Sequence, residues 1–134
     1  MTEVAQKQLD HARKPIPFLF NWGIPILVLV SVNIVQGFWP VSIVLWMIIG
    51  SFTWMGIGCV INAARCGRLH CYFSGPIFLI GALATFLVGF EFADLGSISV
   101  SLISNVTIVL ALSTFILEWV WGAYGSKRSP DPLN

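Results

Sequence analysis

Charge is what this sequence has least of. Only 10% of its 134 residues are Asp, Glu, Lys or Arg, while 57% are hydrophobic. A soluble domain carries roughly 25% charged residues, and a chain this short cannot hide so much apolar surface in a core of its own. The surrounding medium must be lipid. A formal net charge of +1 supplies no field to collect nucleic acid or an acidic partner. Cysteine is scarce as well. Three of them, Cys59, Cys66 and Cys71, are odd in number and confined to one segment, unlike the cysteine framework of a small secreted protein. The opening MTEVAQKQLDHARKPI is too polar and too long for the n-region of a secretory signal, and no small-residue cleavage site follows a short apolar core. Strand-like period-two alternation is missing too. So are a glycine-rich nucleotide loop, an H-E-x-x-H pair and a nucleophile elbow; no catalytic motif is found, and hydrolysis or nucleotide chemistry has no support in the sequence.

Long apolar runs are what remains. A helix needs about 20 predominantly apolar residues to cross a hydrocarbon core of about 30 Å, and four segments have that length. They run from about Pro17 to Gln36, from Val41 to about Asn62, from just after Gly75-Pro76 to before Glu91, and from near Ser97 to about Trp121. The expected fold is an all-α integral membrane bundle of four transmembrane helices. Residues 1–16 form a polar N-terminal segment, 17–125 the membrane domain and 126–134 a polar tail. Helices are required because only they, or closed barrels, satisfy their backbone groups in lipid.

With four spans, all seven basic residues fall on one side: Lys7, Arg13 and Lys14 before the first helix, Arg65 and Arg68 between the second and third, Lys127 and Arg128 after the fourth. The positive-inside rule then places both termini and the Arg65–Arg68 loop in the cytoplasm, and the setting expected is a bacterial or archaeal cytoplasmic membrane. Trp22, Trp39, Trp119 and Trp121 lie near helix ends, as interfacial anchors do; Trp46 and Trp54 lie deeper and are expected to pack. Gly81, Thr85 and Gly89 recur every four residues, a spacing that admits a neighbouring helix. The Thr85 hydroxyl is expected to bond back to its own helix. Ser97, Ser101, Ser104 and Asn105 share a face of the fourth helix and form a second packing seam.

One segment concentrates the reactive side chains: CVINAARCGRLHCYFSGP, residues 59–76. If the second helix continued past the membrane surface, Cys59, Asn62, Cys66 and His70 would occupy one face within about 80°. Cys66 and His70 would then stand one turn apart, close enough to chelate one ion. Cys71 would join them only through a break at Gly67. Thiolates and an imidazole suit zinc, copper or mercuric ion, with Cys59, Cys66, His70 and Cys71 as candidate ligands, and Arg65 and Arg68 favour the thiolate. The plainer reading makes the cysteines packing residues and the arginines contacts for lipid phosphates or other anions. Glu118, on the same side, is expected to pair with one of those arginines. Glu91 lies at the outer end of the third helix, and His11 is expected to be solvated. No charged residue lies near the centre of a span, which argues against a proton-driven pump built from this chain alone.

The size and the cysteine-bearing four-span layout resemble those of the small inner-membrane mercuric-ion transporters. Those carry paired cysteines in the first membrane helix, whereas the first helix here, NWGIPILVLVSVNIVQ, has none, so the resemblance stops at general architecture. The expected function is a structural or accessory subunit of a membrane complex, in contact with the bilayer and with other membrane polypeptides or further copies of itself. The alternative is a soft-metal or thiol-handling membrane protein, binding or transporting through the Cys59–Cys71 segment.

Overall fold

Each apolar run becomes a helix. The computed structural model describes residues 10, 14–35, 37–93, 96 and 98–121; the expected C-terminal tail, Ser97, His11 and most of the N-terminal segment lie outside them. All regular structure among the described residues is helical, and four helices are long and apolar enough to cross a membrane. The chain is an integral membrane protein, and its outer faces carry large apolar side chains such as Leu27, Ile80, Val109 and Leu112, as hydrocarbon contact requires.

The first helix, α1, has three consecutive pieces: Pro15–Phe18, a π-helical turn Leu19–Gly23, and Ile24–Val35. The wide turn has a local cause. Pro25 brings no N–H to the Asn21 carbonyl, and its ring would crowd that carbonyl in a tight α-turn; widening the preceding turn relieves both. The second helix, α2, is Val41–Cys66. It ends where Gly67 takes the left-handed conformation, φ 70°, and donates its N–H to the Ala63 carbonyl at 2.8 Å, a conformation favourable to glycine.

Arg68 then extends the chain and a new helix, α3, starts at once as Leu69–Gly89. The expectation that the third helix begins after Gly75-Pro76 is corrected by about two turns. Pro76 sits inside α3 and leaves the Tyr72 carbonyl without its helical donor, but Tyr72 is itself exposed. The fourth helix, α4, is Val100–Trp121, and Ser99 Oγ accepts the Leu102 N–H at 3.2 Å near its start, as an N-cap serine does.

Neighbours in sequence are neighbours in space. α2 packs most extensively on α3, α3 on α4, and α1 lies against α2. Glycines set the closest approaches. A Cβ at Gly81 would come within 2.5 Å of the Thr107 side chain on α4, and one at Gly89 within 2.5 Å of Leu45 on α2. The small-residue row of α3 thus faces both flanking helices. Thr85 in the same row is fully buried, yet its Oγ1 has no hydrogen-bond partner among the described residues, contrary to the expected back-bond. Ser101, Ser104 and Asn105 line a cleft of about 400 Å³ together with Asn33 and Glu91, and of the three only Ser104 is buried. Trp46 and Trp54 pack on Phe86, Phe90 and Phe20 but remain about half exposed on the outer surface.

Candidate functional site

The break at Gly67 decides the geometry of the cysteine segment. Because α2 stops and α3 turns back, Cys66 and His70 do not share a helix face, and the one-turn chelate expected of them does not form. Cys66 Sγ instead donates to the Asn62 carbonyl at 3.0 Å within its own helix. The reversal brings Cys59 and Cys71 together. Asn62, one turn beyond Cys59 on α2, donates from Nδ2 to Cys71 Sγ at 3.5 Å. Ser74, one turn beyond Cys71 on α3, donates from Oγ to Cys59 Sγ at 3.4 Å. Each thiol is therefore held by the neighbour of the other, which sets the two sulfurs facing one another across the contact of α2 with α3. All three cysteines are free and buried.

A second layer of donors and charges surrounds this pair. Trp22 of α1, expected at the interface, is turned inward with 7% exposure, and its indole N–H points at Cys59 Sγ from 3.4 Å. His70 Nε2 lies 3.3 Å from Cys71 Sγ, and its Nδ1 lies 2.6 Å from Glu118 Oε1 on α4. A carboxylate on one ring nitrogen fixes the tautomer and leaves the other as acceptor. The imidazole also stacks on Phe115 at 4.2 Å between centroids.

Arg68 ties the cluster together. Its Nε and Nη2 reach the two Glu118 oxygens at 3.0 and 3.2 Å, and its Nη1 reaches Asp10 Oδ2 at 2.8 Å. The Arg68–Glu118 pair is one that side and charge led us to expect; Asp10 was not anticipated. It is fully buried, and its other oxygen accepts from Asn62 Nδ2 at 3.0 Å. Burial works against the charge on Arg68, but hydrogen bonds and charge from Glu118, then from Asp10, outweigh it and raise its pKa above the ordinary value. Arg65 points outward and is exposed. The two arginines, read together as lipid contacts, thus occupy different environments, and the Arg68 guanidinium is engaged by carboxylates.

Of the residues expected to bind metal, the structure unites Cys59, Cys71 and His70 and sets Cys66 apart. Among the described residues no group of three or more His, Cys, Asp and Glu side chains surrounds a possible ion position. Trp22, Asn62, Ser74 and Asp10 complete the cluster; helical spacing places Asn62 on the face of Cys59, but it signals none of the other three, since their partners lie on other segments. Comparisons with protein-family models, with curated proteins and with solved structures find no match.

Proposed function

We propose that this is a thiol-handling membrane protein whose working groups are Cys59 and Cys71. The observation that carries the reading is the reciprocal clasp, in which Asn62 holds Cys71 and Ser74 holds Cys59. Cysteines that merely fill space need no such set of donors, whereas sulfur that bears negative charge or donates to a metal does. Two facing sulfurs suit a soft ion content with few ligands, cuprous or mercuric, better than zinc, which takes four. Mercuric ion added to the reduced protein in mild detergent is expected to bind at one equivalent and to protect Cys59 and Cys71 from alkylation. Cys59→Ser or Cys71→Ser should each abolish that binding, and Cys66→Ser should leave it intact. Retention of binding in Cys59→Ser with loss in Cys66→Ser would reject the pair as the site.

A second reading, a structural or accessory subunit, draws on one face of α2. Nothing lies within 4 Å of where a Gly50 Cβ would be. Trp46, Thr53, Trp54 and Ile57 border the groove there, which gives another helix room for close approach. Stoichiometric co-purification of another polypeptide, lost in Gly50→Leu, would support it.

A further inference from the structure

We infer that the cleft at the end of the bundle opposite the thiol pair binds a small primary ammonium ion with a compact aliphatic body. The thiol-handling reading plays no part in it. Ile48, the innermost residue of α2 to line the cleft, stands about 16 Å of helix rise from Cys59. All four helices border this space of about 400 Å³, which reaches about two turns into α2 between Val41 and Ile48. Five of the lining residues are polar, namely Asn33, Glu91, Ser101, Ser104 and Asn105, and the others are aliphatic or glycine.

Ser104 is the residue that points to a ligand. It stands one turn inside α4 and is only 7% exposed, yet its hydroxyl makes no hydrogen bond among the described residues. A helical serine commonly donates back to a carbonyl of the preceding turn, as Ser31 and Ser113 do at 2.8 and 2.7 Å. Ser104 does not, and its side chain lines the cleft instead. A buried hydroxyl left without a partner is costly, and a ligand in the cleft removes the cost. Glu91 adds a second departure from the cheapest sequence. It closes α3 with φ 59°, in the left-handed region that suits glycine, so a carboxylate stands at the cleft where the backbone favours no side chain at all.

Charge sets the sign of the ligand. From residue 69 to residue 126 the sequence has Glu91, Asp94 and Glu118 but no Lys or Arg, and from 15 to 64 it has no Asp, Glu, Lys or Arg. Both connections at this end, 36–40 and 90–99, fall in those stretches. Their charge is purely acidic, and it draws a cation. The lining narrows the class further. None of the lining residues is aromatic, so a quaternary ammonium, which ring faces recognise, finds no cage. Hydroxyl and amide oxygens accept N–H groups, and a primary ammonium offers three of them. Glu91 supplies the counter-charge, and Ser104 and Asn105 accept the N–H bonds. A bare metal ion would leave the aliphatic wall of Val44, Leu45 and Val88 uncovered, whereas an alkyl group fills it.

The full-length protein in an uncharged detergent should be titrated with isopentylamine at neutral pH, where the amine is ionised. Binding is read by calorimetry and by the rise in melting temperature, and one saturable site is expected. Isopentanol, alike in shape but uncharged, should bind roughly tenfold more weakly or worse, and so should trimethylisopentylammonium, charged but without N–H groups. Ser104→Ala should weaken the amine roughly tenfold or more, the worth of a hydrogen bond to a charged group. Glu91→Gln should weaken it a few fold and remove its dependence on salt. Glu91→Gly should bind as weakly as Glu91→Gln yet melt no lower than wild type, because glycine relieves the left-handed backbone; a general loss of structure would not give that pairing. Cys59→Ser and Cys71→Ser should bind the amine as wild type does, so this site and the thiol pair stand or fall separately. Absence of a saturable site, equal affinity for isopentylamine and isopentanol, or wild-type affinity in Ser104→Ala would overturn the proposal.

Discussion

Replacing Arg68 with alanine is expected to cost about 3–5 kcal/mol, because removing one member of a buried ion pair strands its partners. Two carboxylates are stranded here. Asp10 is fully buried and the Glu118 side chain is 13% exposed, while Arg68 itself is 18% exposed. Lysine is no remedy, since one ammonium cannot reproduce a planar fork that grips both Glu118 oxygens and reaches Asp10 as well. Thermal unfolding in detergent should therefore rank wild type above Arg68→Lys, and Arg68→Lys above Arg68→Ala. Adding Asp10→Asn and Glu118→Gln to Arg68→Ala should restore part of the loss by removing the unpaired charges. High pH should not mimic the mutation. A raised arginine pKa gives stability that is fully present below the unfolded value and is lost only as pH climbs through the folded one, which lies beyond the range in which arginine deprotonates in proteins. A melting temperature for Arg68→Ala equal to that of wild type would contradict the central place given to this residue.

The second large effect belongs to Gly75. A Cβ there would approach Val60 Cγ2 to 2.9 Å, the Val60 backbone nitrogen to 3.3 Å and the Gly56 carbonyl to 3.4 Å. The Val60 side chain can yield, but the backbone of α2 moves only if the helices part. Gly56 opposes it from the other side, where a Cβ would meet Leu79 at 2.8 Å and the Gly75 carbonyl at 3.2 Å. This glycine contact lies next to Ser74 and one turn from Cys59, so it fixes the separation across which the thiols face one another. Gly75→Leu is expected to destabilise by about 1–3 kcal/mol or more through overpacking, and to open Cys59 and Cys71 to a membrane-permeant maleimide. Gly50→Leu, in open space on the same α2, should do neither. Equal alkylation of the two variants would show that the glycine contact does not set the thiol geometry.

The four spans were readable from the sequence because the bilayer imposes a length of apolar residues that composition alone reveals. The row Gly81, Thr85, Gly89 was readable for a similar reason, since small residues at helical spacing mark a close contact. Exceptions came where tertiary contacts overrode local signals. Pro76 looked like a helix start but lies within α3, because Gly67 and Arg68 had already set the restart at Leu69. Trp22 sits at a helix end, as an anchor would, but the inward face of α1 gives its N–H a sulfur to meet.

The candidate site was half legible. Its cysteines and histidine stood out by confinement to one segment, and side and charge suggested the Arg68–Glu118 pair. Their mutual arrangement depended on a single left-handed glycine. With the helix continuous, Cys66 would partner His70; with it broken, Cys71 does. Asp10 carried no signal at all, since a lone carboxylate in a polar stretch looks solvated. Its contacts reach across 52 residues to Asn62 and 58 to Arg68, and no local periodicity encodes pairings of that range.

Mild oxidation of the detergent-purified protein with copper–phenanthroline, followed by alkylation and peptide mass analysis, tests the central claim most directly. Two of the three cysteines should be consumed in an intramolecular link between the Cys59 and Cys71 peptides, with Cys66 recovered as the alkylated thiol after denaturation. A link from Cys66 to either of the others, or failure of Cys59 and Cys71 to join while the protein remains folded, would contradict the facing thiol pair and the function built on it.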